Sequence, residues 1–81
     1  MQRAEIKIKL TEVFGEVFGP SVTEIREEMT AADVKNWDSL NHVTLIYAAE
    51  QKFGVSLSVR EIQGLKTVGD MFDLIEKKTG N

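Results

Sequence analysis

The sequence predicts an all-α domain: a four-helix bundle with three longer helices, one short third helix and a long first loop. Three observations carry this. Apolar residues recur at three- and four-residue steps in separate stretches, hydroxyl-x-x-acid capping boxes open two of the later ones, and glycines stand where helices must stop. No segment alternates in the manner of a strand, and there is no internal repeat or low-complexity tract.

The first helix carries Ile6, Leu10, Val13, Phe14 and Val17 on one stripe and closes at Gly19-Pro20. Ile8 falls off that stripe and is expected at the surface. From Ser21 to Trp37 the pattern is irregular, with Val22, Ile25, Met29 and Val34 spaced as anchors of a loop or a short turn. Connections this long are often functional. The second helix runs from Asp38 as N-cap to about Phe53, with Gly54 as its left-handed C-terminal residue. Ser58-x-x-Glu61 then forms a capping box, with Leu57 and Ile62 at the positions of a hydrophobic staple, and Gly64 ends this third helix within two turns. Thr67-x-x-Asp70 opens the fourth, which carries Val68, Met71, Phe72, Leu74 and Ile75 and ends near Gly80.

The chain has 81 residues, so one domain spanning 1–81 with a single hydrophobic core is expected. Such a domain has no room for a substrate cleft beside a cofactor domain, so its chemistry must be simple or supplied by a partner. It has no cysteine, which excludes a disulfide framework and a thiolate metal site. Mixed charge follows Met1, and no apolar run could span a bilayer, so neither a signal peptide nor a membrane span is expected. A cytoplasmic location is the default. The net charge of −3 resides wholly in residues 21–38, where Glu24, Glu27, Glu28, Asp33 and Asp38 outweigh Arg26 and Lys35. That distribution argues against nucleic acid, whose binders need a basic stripe, and suits either a partner with a basic rim or a solvated loop.

At about 100° per residue, the second helix has two apolar faces. Leu45, Ile46, Ala49 and Phe53 cluster on one side with His42 near them, and Leu40, Val43 and Tyr47 lie opposite with Thr44 and Glu50. The first group is the better core candidate. The second is then a partly exposed strip, of the kind that marks a contact surface; alternatively the 21–38 loop folds over Leu40 and Val43 and buries them. Ser39 stands at the start of this helix, where unpaired backbone N–H groups and the helix dipole favour an anion. A phosphate esterified to its hydroxyl would be stabilised there, although Asp-Ser is also an ordinary way to begin a helix.

Ser39 as a catalytic nucleophile is the weaker reading. His42, the sole histidine, is three residues on, but a carboxylate would have to orient it. Asp38 is better occupied as the cap, and no glycine-rich turn provides an oxyanion hole. No catalytic residues and no metal site are expected.

The stretch Asn36-Trp37-Asp38-Ser39-Leu40, together with the spacing downstream, resembles the acyl carrier protein family over nearly the whole chain. In that family the serine of an Asp-Ser-Leu motif opens the second of four helices and receives 4′-phosphopantetheine from coenzyme A through a phosphopantetheinyl transferase. The resemblance implies that Ser39 is the attachment residue and that Asp38 helps place the Mg²⁺ of the transferase reaction. It further implies a partner surface of Leu40, Val43, Thr44, Tyr47 and Glu50, with Leu65 flanking the prosthetic arm and Phe53 as core aromatic. The third helix, held by few contacts, would shift readily.

Some positions depart from the pattern. Primary fatty-acid carriers are strongly acidic along the second and third helices, whereas this chain has Asn41, Thr44, Gln51, Val59 and Arg60 there and keeps Glu50 and Glu61. The Trp37-Asp38-Ser39-Leu40 form is similar to carriers outside bulk fatty-acid synthesis, including D-alanyl, polyketide and polysaccharide carriers. The expectation is therefore a monomeric, specialised stand-alone carrier, not an enzyme, that presents an acyl or aminoacyl thioester to loading ligases, synthases or transferases. The alternative is a small helical adaptor that binds a partner through Leu40, Val43 and Tyr47 without modification.

Overall fold

Helix α1 spans Arg3–Phe18, α2 Ser39–Phe53, α3 Val59–Gln63 and α4 Val68–Lys78 in the computed structural model, which describes residues 2–19, 22 and 24–80. The expected stop at Pro20 and the start of the loop at Ser21 lie outside the described residues. Elsewhere the punctuation is as the sequence predicts. Gly54 takes φ 67 and ψ 36 after α2, and both capping boxes close reciprocally, Ser58 with Glu61 and Thr67 with Asp70. Gly64 ends α3 in a right-handed conformation, with its N–H shared among carbonyls of the preceding turn.

Ile6, Leu10, Val13, Phe14 and Phe18 of α1 meet Leu45, Ile46, Ala49 and Phe53 of α2 and Val68, Met71, Phe72 and Ile75 of α4 in one core. Phe18 takes the buried place expected of Val17, which packs only partly against the core. The ring of Phe18 lies 5.5 Å from that of Phe14 and 5.9 Å from that of Trp37, so it joins an aromatic cluster that a valine could not complete. Ile8 is exposed, as expected, and among the described residues no polar or charged residue is buried.

The loop between α1 and α2 contributes Ile25, Met29, Val34 and Trp37 to this core. It is therefore a wall of the bundle rather than a cover for α2, and the reading in which it buries Leu40 and Val43 is excluded, since both remain exposed. Its backbone is fixed to the start of α4. The Val68 N–H donates to the Met29 carbonyl and the Gly69 N–H to the Glu27 carbonyl, each at 2.9 Å. The Asp70 N–H donates to Thr67 Oγ1 at 3.1 Å, so the first turn of α4 has its orphan donors satisfied.

Arg3 closes the same seam with charge. Its guanidinium pairs with Glu27 of the loop at 2.8 Å, with Asp73 at 3.0 Å and with Glu76 of α4, and it lies 5.1 Å from the centre of the Phe72 ring. These acids raise the Arg3 pKa, the Glu27 hydrogen bond contributing most. Short α3 has no buried residue of its own. Leu57 and Ile62 pack partly against the core, and Glu61 pairs with Lys78 of α4 at 3.0 Å.

Candidate functional site

The approach to α2 is set by three residues. Asn36 takes φ 72, a left-handed conformation that asparagine tolerates better than most residues, so the lead-in turns without a glycine. Its carbonyl accepts from the Asn41 side-chain amide at 2.6 Å and from the Asp38 N–H at 3.0 Å. Asp38 is extended, and its Oδ1 accepts from the Asn41 N–H at 2.8 Å, which makes it the N-cap of α2. Trp37 turns inward, edge-on to Phe14 at 5.4 Å, and so anchors the loop to the bundle.

Ser39 is consequently the first residue of α2, and it is exposed. The start of α2 differs from that of α4. Asn41 is satisfied by the Asp38 side chain and His42 by the Asp38 carbonyl, but the N–H groups of Ser39 and Leu40 find no acceptor among the described residues. Two backbone donors and the positive end of the dipole thus stand beside the hydroxyl. An open groove of about 370 Å³ adjoins it, lined by Ala31, Trp37, Asp38, Ser39, His42 and Leu65. Leu65, which follows α3, is thereby brought beside the serine.

On the outward face of α2, Leu40 is 76% exposed and Val43 and Tyr47 are each 64% exposed, with Thr44 exposed between them. Val59, the first residue of α3, is a further exposed apolar side chain. Glu50 is less available than its place on the helix suggests. Its Oε2 accepts from the Leu57 N–H at 2.8 Å, tying the chain after α2 back onto the helix. The acidic loop is also partly committed: Glu27 pairs with Arg3, Glu28 with Arg26, and Asp33 accepts from the Thr30 N–H.

Sequence reasoning missed one relationship at the site. The Trp37 indole N–H donates to His42 Nδ1 at 3.0 Å, with the two rings within 16° of parallel. An indole nitrogen only donates, so Nδ1 is the acceptor and the neutral ring carries its proton on Nε2. A histidine in that tautomer has no lone pair left to take the proton of Ser39, and among the described residues no carboxylate orients it. The arrangement does not provide a catalytic triad. The signal in the sequence was a buried-type tryptophan needing an acceptor, with a histidine five residues on, across the cap.

The geometry is that of a small bundle presenting one hydroxyl, unsatisfied helix-start donors and an adjoining apolar strip. Residues 8–75 match the family described as "Phosphopantetheine attachment site". The chain is 38% identical to the acyl carrier protein of Acidothermus cellulolyticus over 98% of its own length and 94% of that protein's. It is 36% identical to the meromycolate extension acyl carrier protein of Mycolicibacterium aurum, over 90% of this chain and 75% of that one. The solution structure of the holo acyl carrier protein from Geobacter metallireducens superposes with a TM-score of 0.77 at 40% identity, covering 85% of this chain and 79% of that one. The chain belongs to the acyl carrier protein family: it is a carrier and not an enzyme, and its cofactor is covalently attached 4′-phosphopantetheine. The residues around Ser39 fit such a group, with an exposed hydroxyl, a groove beside it and donors for a phosphate. No helix among the described residues is long and apolar enough to cross a membrane.

Proposed function

We propose that Ser39 is the tether, joined to 4′-phosphopantetheine through a phosphodiester, and that residues 1–81 act as one carrier domain. The observation that supports this most directly is the open first turn of α2, where Ser39 and Leu40 keep free N–H groups while the start of α4 is closed by the loop. The bound group supplies the thiol that this cysteine-free chain lacks and so holds its cargo as a thioester. Asp38 uses Oδ1 for the cap and is itself exposed, which suits a carboxylate that also assists a transferase-bound Mg²⁺.

Leu40, Val43, Thr44 and Tyr47 form the docking strip for a phosphopantetheinyl transferase and for the ligases, synthases or transferases that load and unload the cargo. Leu65 flanks the arm, and Glu50 adds charge at the edge of the strip. The strip is apolar and only weakly charged, which favours a specialised carrier of acyl or aminoacyl groups over the housekeeping carrier of fatty-acid synthesis. Polyketide, lipid, wall-polymer and polysaccharide synthesis all use chemistry of this class. The carrier works as a monomer in the cytoplasm.

Intact mass after incubation with coenzyme A and a transferase tests the proposal. One phosphopantetheine gained by the wild type and none by Ser39→Ala is the expected result. A gain that survives Ser39→Ala would move the tether elsewhere, and no gain by the wild type would leave the unmodified adaptor.

A further inference from the structure

We infer that His42 is a positioning residue for the prosthetic group, its Nε2–H donating a hydrogen bond to the phosphodiester on Ser39; this rests on Ser39 being the tether. The support for His42 begins in the core. Trp37 is fixed by Phe14 and Phe18 beneath it, at 5.4 and 5.9 Å between ring centres. Its indole N–H holds His42 through Nδ1 at 3.0 Å. That single bond settles which nitrogen carries the ring proton and which edge of the imidazole faces the tryptophan. Nε2 lies on the other side of the ring.

His42 and Ser39 are three residues apart on α2, so their side chains are neighbours on one helix face, and both line the same groove. No side-chain acceptor among the described residues takes the Nε2 proton, and His42 is only half-buried. The groove therefore presents a side-chain donor in addition to the backbone N–H groups of Ser39 and Leu40. A phosphodiester retains one negative charge and two non-bridging oxygens, and hydrogen bonds to a charged acceptor are the stronger kind. The chain of contacts from Phe14 through Trp37 to His42 holds the donor in place before the group is attached, and pre-placement of this kind lowers the ordering that binding would otherwise require. The effect is to hold the root of the arm against α2 on the Trp37 side.

The test uses the whole 81-residue chain. Intact mass is read first, after coenzyme A and a transferase are added. No gain removes Ser39 as tether, and the role of His42 falls with it. On the holo protein, ¹⁵N spectra of the imidazole and the ³¹P resonance of the phosphodiester are then compared between states and variants. Loading is expected to shift the His42 Nε2 proton downfield while Nδ1 keeps its acceptor signature. His42→Asn retains an acceptor where Nδ1 stood but has no donor at the Nε2 position, whereas His42→Gln restores an N–H there. The ³¹P resonance should move in holo His42→Asn and return toward wild type in His42→Gln, with the Trp37 indole N–H signal reporting that each variant is folded. An Nε2 proton indifferent to loading, or a ³¹P resonance identical in wild type and His42→Asn, overturns the inference and leaves the tether standing. Where a variant does not fold, the apo–holo comparison of the wild type decides.

Discussion

Gly69 donates its backbone N–H to the carbonyl of Glu27 at 2.9 Å, and at that separation there is little room for a side chain between α4 and the first loop. A Cβ at position 69 would lie 3.1 Å from the Glu27 carbonyl oxygen and 3.2 Å from its Cβ. Glu27 cannot easily retreat, because the neighbouring Met29 carbonyl is bonded to Val68 and the Glu27 side chain to Arg3. Gly69→Ala should therefore destabilise the protein by about 1 kcal/mol, with overpacking outweighing the higher helix propensity of alanine. Chemical denaturation measures this, and a more stable variant would show that the loop yields freely.

Arg3 makes the stability of that seam depend on pH. Its hydrogen bond is the main reason the Glu27 carboxyl is held below its ordinary value of 4.5. A carboxylate whose folded pKa is depressed contributes stability above its ordinary value, and that contribution is lost as pH falls through the folded value. Arg3→Gln should lower the melting temperature at pH 7, and the gap from wild type should close as the pH is taken below 4.5. Glu61 and Asp70, whose pKa values are also lowered, are held first by backbone N–H groups and keep their contribution in this variant. Added salt should narrow the gap at pH 7, since Arg3 and Glu27 are both partly exposed.

Trp37 has a packing role and a hydrogen-bonding role that substitution separates. Trp37→Ala removes the ring that Phe14 and Phe18 pack against and should cost about 3–5 kcal/mol. Trp37→Phe keeps much of the aromatic volume but loses the bond to His42, a loss worth about 1 kcal/mol. Urea titrations should rank the variants in that order. Equal losses in both would mean that the indole N–H, rather than the ring, fixes the loop.

The outward strip of α2 should answer to partners and not to folding. Val43→Asp changes a side chain that is 64% exposed, so stability should stay within about 0.5 kcal/mol of wild type. Loading by the transferase should fall about tenfold in kcat/KM, equivalent to about 1.4 kcal/mol of lost transition-state binding. Ile8→Asp, at an equally exposed position on α1, is the control and should leave both quantities unchanged.

Local chemistry explains which features the sequence made legible. The caps at Asp38, Ser58 and Thr67 and the left-handed Gly54 depend on neighbours within a few residues, and each is where the pattern places it. The two faces of α2 were legible because an uninterrupted periodicity separates Leu45 and Ile46 from Leu40 and Val43. Contacts between distant segments were not legible. Arg3 meets Glu27, Asp73 and Glu76 only because loop and α4 converge on the start of α1. Phe18 displaces Val17 from the core because Trp37, nineteen residues on, offers it a ring. At the candidate site, the cap at Asp38 and the place of Ser39 at the helix start were readable from the motif, while the commitment of Glu50 to the Leu57 N–H depends on how the chain doubles back after Gly54.

One helix serves two masters from opposite sides. Leu45, Ile46, Ala49 and Phe53 lie in the interior, while Leu40, Val43 and Tyr47 stay largely exposed. Substitution along the outer row should therefore spare the fold, and on the proposed function a lineage could exchange its partner enzymes without passing through misfolded ancestors.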